Sequence, residues 1–408
     1  MIKLKSPTDI VVNVDPSAGI HYTYGEYLVI HSGPYNHYFN DASRTFLKDP
    51  NLLSEASRAV WSNFFSHLKQ AQKLDRKDFS RLGLRLFEVL GYGQLNLNII
   101  GGKTESIVKN SVFALTHRIL SAVPSKIPVC EYTGGYISAF LNAVLMPKDE
   151  IIDVEEEKCG SMGHNECEFY VKTSREKPRR LESPGNAFRI FNLPSEELKP
   201  FLTNLDKLMP RPKNGLLFYP SIYNEFPRLH ISYMMANYYS IVFYEALKEA
   251  RRSNSVDVLR HLYSLAAVIC IVSTFGSFAA TPIFEKVIYP KSDNPYDAAF
   301  FTLNLAGMGR WELMEHSKKH LEYRVFNFYE LNYQFQVEEP EPISPFVEGA
   351  GMAVKFMVDN MLDGILKGEK FNYSDVLSTF ANGFPYVVKE YSYDPSTNSA
   401  HVVIEEKE

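Results

Sequence analysis

With 408 residues, an apolar fraction of 45% and an aromatic fraction of 13%, the chain has material for two packed cores rather than one. Its formal net charge of −5 is spread without long runs, which removes the usual reason to expect a nucleic-acid-binding surface. Only four cysteines occur, and Met1-Ile2-Lys3-Leu4-Lys5 is not followed by the apolar stretch of a secretory leader, so the expectation is a reducing, cytoplasmic setting with free thiols.

In chain order, residues 1 to 20 read as an extended arm, Glu26 to His31 as a strand, and Ser32-Gly33-Pro34-Tyr35-Asn36 as a turn. Leu53, Ala56, Val60, Phe64 and Leu68 recur at helical spacing within Leu52 to Leu74. A second helix, Asp78 to Leu90, is stopped by Gly91-Tyr92-Gly93. Leu95 to Ile100 and Ser106 to Leu115 read as paired strands about Gly101-Gly102, and Tyr136 to Leu145 as a helix. The fold class expected is α+β: mixed α/β domains with antiparallel sheet and flanking helices.

Three of the cysteines fall between Val129 and Lys172. Cys159 and Cys167 flank a loop whose Gly160 and Gly163 let a short connection turn back on itself. Alternation in Ile151-Ile152-Asp153-Val154 and Phe169-Tyr170-Val171 makes the flanks two strands, a hairpin presenting two sulfurs at its tip. Cys130 must join them by tertiary folding. Three thiolates and a nearby carboxylate suit a four-coordinate divalent ion of borderline softness, zinc by default, with Glu156 or the loop residue His164 as fourth ligand. The competing reading is cysteine as a small buried hydrophobe, or two of the three as a disulfide.

Cys130 with the glycines after it, Val154-Glu155-Glu156, Cys159, Gly160, Gly163, Cys167 and Phe169 together resemble the signature of the 4-vinyl reductase, or hydrocarbon-binding, domain. The upstream run Val108-Lys109-Asn110-Ser111-Val112-Phe113-Ala114 resembles it too. In the phenol-responsive bacterial activators that share this domain, a cysteine and a Glu-x-x-Cys-x7-Cys run hold a structural zinc. The resemblance therefore implies Cys130, Glu156, Cys159 and Cys167 as its ligands here. It also implies a cavity for phenols or other hydrocarbons between sheet and helices beside the metal loop. By position Ile107, Tyr136, Phe140 and Val154 would line it, unless they are simply core.

The proline-rich stretch 178–213 reads as a linker between a first domain, 1–177, and a second, 214–408. One gapless offset takes Gly91 to Gly307, Gly93 to Gly309, Leu97 to Leu313, Lys103 to Lys319, Ile127 to Ile343, Gly135 to Gly351 and Phe140 to Phe356, as a duplication would. Tyr35-Asn36 would answer to Tyr223-Asn224, and Phe356 would be the second copy's pocket wall. At this offset Phe346 replaces Cys130. With Glu390 matched to Glu156, Tyr393 and His401 replace Cys159 and Cys167, so the second, degenerate copy is expected without metal. Leu262 to Phe284 has no charged residue and is long enough to span a bilayer, but its serines and threonines favour a buried helix over a membrane span.

Four protein ligands leave no position for water or substrate, so the zinc would be structural. The chain has no P-loop, Gly-x-Ser-x-Gly, His-Glu-x-x-His or dinucleotide fingerprint. The expected function is binding or sensing of a small hydrophobic or aromatic ligand rather than catalysis. Output would pass through a protein partner or a homodimer formed by Tyr233 to Ala246 or Leu262 to Phe284. The alternatives are a tetrapyrrole-related vinyl reductase or its accessory protein, and a lipid-pocket scaffold.

Overall fold

Strand β4 (Glu26–Ser32) is buried at every residue, so it must be covered on both faces and paired on both edges. The computed structural model, which describes residues 2–5, 11–15, 18–100, 103–121, 123–145, 150–174, 181, 213–330 and 343–407, shows what does so. On one side lie β3 (Ile20–Thr23), β2 (Val11–Asp15) and β1 (Ile2–Lys5). On the other lie β10 (Arg228–Met235) and β9 (Leu217–Pro220), from the second half of the chain. The order β1-β2-β3-β4-β10-β9 is antiparallel throughout, with Leu28 opposite Met235 and Ser32 opposite Ile231. Of the expected linker 178–213, only Leu181 and Lys213 lie among the described residues.

After β4 the chain enters helix α1 (Gly33–Phe46). Ser32 caps it, its hydroxyl accepting from the Tyr35 N–H, and Pro34 stands in the first turn. The expected turn at Ser32–Asn36 is therefore a helix start, where a capping serine and an early proline each satisfy or remove an orphan donor. Helices α2 (Leu52–Gln72) and α3 (Arg76–Val89) follow, and Gly91 and Gly93, at φ 87° and 118°, end the second. The hairpin β5 (Gln94–Ile100) and β6 (Lys103–Lys109) stops sooner than expected. Asn110, at φ 56°, turns the chain into α4 (Val112–Leu120). Helix α5 (Glu131–Leu145) and the hairpin β7 (Ile151–Lys158) and β8 (Cys167–Ser174) complete a four-stranded sheet of order β5-β6-β8-β7. The fold is α+β, with three antiparallel sheets among the described residues.

The same succession recurs: α6 (Ala236–Arg252), α7 (Val256–Ala279), α8 (Pro295–Leu305), β11 (Arg310–His316), β12 (His320–Phe326), α9 (Pro345–Asn360), β13 (Tyr386–Asp394) and β14 (Ser399–Glu406). The sheet order β11-β12-β14-β13 repeats the first. Gly307 and Gly309 are left-handed like Gly91 and Gly93, and Asn327, at φ 57°, repeats Asn110. That last match departs from the gapless offset, because a bulge between Leu313 and Glu315 inserts a residue.

Later counterparts stand at a different offset again, because the connection from Asn327 to Ser344 is shorter than that from Asn110 to Cys130. Cys130 and Ser344 are the residues immediately before α5 and α9. Gly135 presses on the α2 backbone at Ser54 as Gly349 presses on the α7 backbone at Ser264. Ser344, not Phe346, thus holds the place of Cys130. Val108 pairs with Cys167 and its counterpart Val325 with Ala400, so Ala400 rather than His401 matches Cys167. Tyr391, across from Val402, then matches Glu156, across from Phe169, in place of Glu390. Tyr35-Asn36 lie in α1 whereas Tyr223-Asn224 lie in the β9–β10 connection, so they are not equivalent. The Tyr132–Tyr238 and Phe346–Tyr35 ring contacts, at 4.8 and 5.4 Å, mark Tyr238 as the partner of Tyr35.

Helix α7 is long and apolar enough to cross a membrane, but most of its apolar stretch is buried inside the protein, mainly against α9 and α1. Tyr233 to Ala246 is likewise largely enclosed between the halves. Both segments expected to form a homodimer are thus covered within the chain.

At Gly135 an added Cβ would fall 2.5 Å from the Ser54 carbonyl oxygen and 2.5 Å from Ser57 Cβ, whereas at Gly134 the nearest atom would be 3.6 Å away. Gly135→Ala should therefore push α5 off α2 and cost about 1–3 kcal/mol in urea unfolding. Gly134→Ala should change stability by less than about 0.5 kcal/mol. Equal effects would mean that the two helices do not meet this closely.

Candidate metal centre

The β7–β8 hairpin brings its two cysteines together because Cys159 leaves β7 extended, a single 3₁₀ turn spans Gly160–Met162, and Gly163, at φ 96°, reverses the chain. Cys130 arrives from the N-terminal edge of α5. The three Sγ atoms form a near-regular triangle, 3.6 Å for Cys130–Cys159, 3.7 Å for Cys130–Cys167 and 3.8 Å for Cys159–Cys167. These separations are far beyond a disulfide bond, and all the cysteines are free thiols. Tetrahedral thiolates at zinc–sulfur bonds of about 2.3 Å would stand about 3.8 Å apart, so the triangle fits that ion.

Glu156 supplies the fourth donor. Its Oε2 accepts from the Cys130 backbone N–H at 3.1 Å, while Oε1 is shielded from solvent without a hydrogen-bond partner. The four donor atoms all lie within 4.8 Å of one another, and His164, the rival, is exposed on the loop and is not among them. The donor set and spacing could hold a metal ion, and a closed set of this kind ties segments together rather than activating a substrate.

Electrostatics reinforce the same reading. Burial pushes the Cys130 thiol well above its ordinary range and does the same to the Glu156 carboxyl, aided there by the neighbouring Cys159. Cys159 is driven far down by hydrogen bonds from Cys130 and Cys167, with Ser161 adding a third. On Cys167 a hydrogen bond with Cys130 lowers the thiol, but its bond to Cys159 and burial outweigh it and raise the group. Burial thus opposes ionisation of Cys130, Cys167 and Glu156 together, and a divalent cation is what would let them ionise.

Two supporting groups escaped the sequence reading. Ser111 Oγ lies 3.2 Å from Cys130 Sγ, and Ser161 Oγ donates to Cys159 Sγ at 3.1 Å. Such outer contacts orient ligands. Ser111 sat within the quoted Val108–Ala114 run, but serine carries no signal of its own.

The expected pocket residues do not all converge. Tyr136 and Phe140 are fully buried in an aromatic cluster with Trp61, Phe65 and Phe87. Val154 faces the same helix, since a Cβ on Gly134 would lie 3.7 Å from it. Ile107 does not join them. Its neighbours Ser106 and Val108 take the buried face of β6, which leaves Ile107 on the outer face opposite Glu168. Phe356 is partly buried and packs on Phe380, 5.1 Å between ring centres.

In the second half, the Cys130 position is polar but not metallic in character: Ser344 Oγ donates to Glu330 Oε2 at 2.6 Å, and the Phe346 N–H donates to the same oxygen. Burial lifts the Glu330 carboxyl to about 8, only partly offset by those two bonds. Nearby, where the halves meet, His31 Nδ1 lies 3.2 Å from Cys270 Sγ and His31 Nε2 lies 3.2 Å from the Tyr329 hydroxyl.

The chain matches no family model and no curated protein. Among solved structures it is similar to the phenol-responsive sensory domain of the transcription activator PoxR, determined with phenol. The identity is 16%, the match covers 39% of this chain and 83% of that one, and the TM-score is 0.33. A likeness this loose transfers neither ligand nor site.

Proposed function

We propose that this is a sensory protein for a small hydrophobic or aromatic ligand, built from two like domains, 1–177 and 214–408, joined by 178–213, with a structural zinc in the first. The observation that carries the reading is the closed centre of Cys130, Glu156, Cys159 and Cys167 fastened to an aromatic interior. Zinc bound there would hold the β7–β8 hairpin against the start of α5, and the same helix contributes Tyr136 and Phe140 to that interior. An aromatic wall fixed in this way suits ring-shaped ligands, with tyrosine hydroxyls as the orienting polar groups.

The route for a signal runs through α5. Tyr132, on its first turn, accepts from the Met235 N–H at 3.2 Å, and the Tyr92 hydroxyl donates to the Tyr233 carbonyl, both in the second half. Repacking around Tyr136 would therefore move the contact between the halves, and a protein partner would read that movement.

The test is a thermal-shift and calorimetric panel of phenols, alkyl chains and tetrapyrroles on protein purified without tags. A true ligand at a hundred times its Kd should add about 2.7 kcal/mol of stability. Phe140→Ala should abolish that gain. Tetrapyrrole or flavin colour in the purified protein would favour the reductase alternative, and co-purified lipid with no response to phenols would favour a scaffold.

A further inference from the structure

Alternation along β12 sends Leu321, Tyr323 and Val325 into the core and leaves His320, Glu322 and Arg324 on the outer face of the second four-stranded sheet. Glu315 of β11 stands directly opposite Glu322 in the pairing register. Two carboxylates so placed repel each other unless something positive lies between them. His320 is on the same face, and its Nε2 is shielded from solvent without a hydrogen-bond partner, 3.7 Å from Glu322 Oε2. One donor atom from each of Glu315, His320 and Glu322 lies within 4.8 Å of the others.

A second imidazole stands behind this group. His401, on β14, places Nε2 2.8 Å from Glu322 Oε1 and Nδ1 3.7 Å from Glu390 Oε1. One Glu322 oxygen is thereby held by His401 while the other faces His320. The remaining charges of the face pair elsewhere: Arg310 contacts Glu312, and Lys389 lies 3.3 Å from Glu405. Arg324 stands across from Glu312 on one side and His401 on the other.

We propose that Glu315, His320 and Glu322 form a second divalent-metal site, with His401 as a positioning residue for Glu322. An imidazole nitrogen with carboxylate oxygens and no sulfur suits zinc, cobalt, nickel or manganese better than calcium or magnesium. Three protein donors on a solvent-facing sheet leave coordination positions open. This ion therefore exchanges with solution, unlike one enclosed by the thiolates of the first half. Binding joins β11 to β12 and, through His401, to β14. The second half is then metal-responsive although its thiol ligands are gone.

The experiment is titration of chelator-stripped, tag-free, full-length protein with Co²⁺, followed by absorbance and by metal analysis after equilibrium dialysis. Cobalt bound by thiolates gives intense near-ultraviolet charge-transfer absorption, whereas cobalt bound by imidazole and carboxylate gives only weak visible bands. The expected result is a second, weaker equivalent per chain that adds no charge-transfer absorption. His320→Ala and Glu322→Gln should each remove it and leave the near-ultraviolet band intact. His401→Phe should keep it but weaken binding about ten- to a hundredfold. A second equivalent that survives both His320→Ala and Glu322→Gln, or its absence from the unaltered chain, overturns the proposal. Loss of the charge-transfer band with the His320-dependent equivalent retained would overturn the thiolate centre and leave this site standing.

Discussion

Cys159→Ser should destabilise the first half by more than about 4 kcal/mol, a range that single substitutions reach mainly through loss of a metal, a buried network or a large core contact. The serine hydroxyl is a poor zinc ligand at neutral pH. Its loss as a thiolate leaves Cys130, Cys167 and Glu156 buried around a position they can no longer hold together. The hairpin then keeps its strand pairing to β6 and the bonds of Ser138 and Asn142 in α5 to Ile152, but loses its tie at the tip. In a domain of this size the change corresponds to a fall of roughly 10 °C in the corresponding calorimetric transition. Chelation of the unaltered protein should reproduce that transition, and chelation of the variant should add nothing. Cys270→Ser is the control, because Cys270 lies outside the cluster and its substitution should leave bound metal unchanged. A Cys159→Ser protein that retains its metal and melts with the unaltered chain would remove these four residues from the centre.

Glu330→Gln should stabilise the protein increasingly as the pH rises. In the unfolded chain this carboxyl ionises near 4.5, whereas burial lifts it to about 8 in the fold. Between those values the folded state binds more protons than the unfolded one, so Glu330's contribution is fully present below 4.5 and is lost as pH climbs to 8. Glutamine keeps an oxygen for Ser344 and Phe346 and never ionises. The stability difference, variant minus unaltered, should therefore grow by on the order of 3–5 kcal/mol from pH 4.5 to pH 8. The amide nitrogen would face the place of Oε1, which has no partner, and that adds a constant penalty of about 1–3 kcal/mol at every pH. The slope, not the offset, is the readout. Comparing variant with parent also cancels His21, a buried imidazole lowered to about 4, whose own effect is a loss of stability as pH falls from 6.5 to 4. A flat difference across this range would show that Glu330 is ionised, or hydrated, in the fold.

What could be read from the sequence was what depends on neighbours a few positions away. The α2 stripe from Leu53 to Leu68, the glycine stop at Gly91 and Gly93, and the β7–β8 hairpin are all local patterns. The clustering of Cys130, Cys159 and Cys167 with Glu156 was legible because cysteine is scarce here and the loop glycines mark the return. Ser32-Gly33-Pro34 misled because the same residues serve turns and helix starts, and only the chain beyond decides. Ile107 was placed on the wrong face because Ser106, a polar residue on the buried side, hides the alternation of β6. A gapless comparison follows neither the bulge at Leu313/Glu315 nor the shorter connection before Ser344, so the counterparts Ser344, Tyr391 and Ala400 were missed. Nothing local announced that β4 would pair with β10, although its unbroken run of buried residues required some second neighbour.

That pairing has a consequence during synthesis. β4 leaves the ribosome early, while its partner β10 is made only after the whole first half, so one edge of the growing sheet stays open for about half of translation. Tyr27, Leu28, Val29 and Ile30 on that open edge are the kind of segment other nascent chains can pair with. Contacts between strands so distant in sequence also form slowly. The first half made alone should therefore be the aggregation-prone form of this protein, and cellular production of the intact chain should depend on a chaperone or on slow synthesis to keep β4 unpaired until β10 arrives.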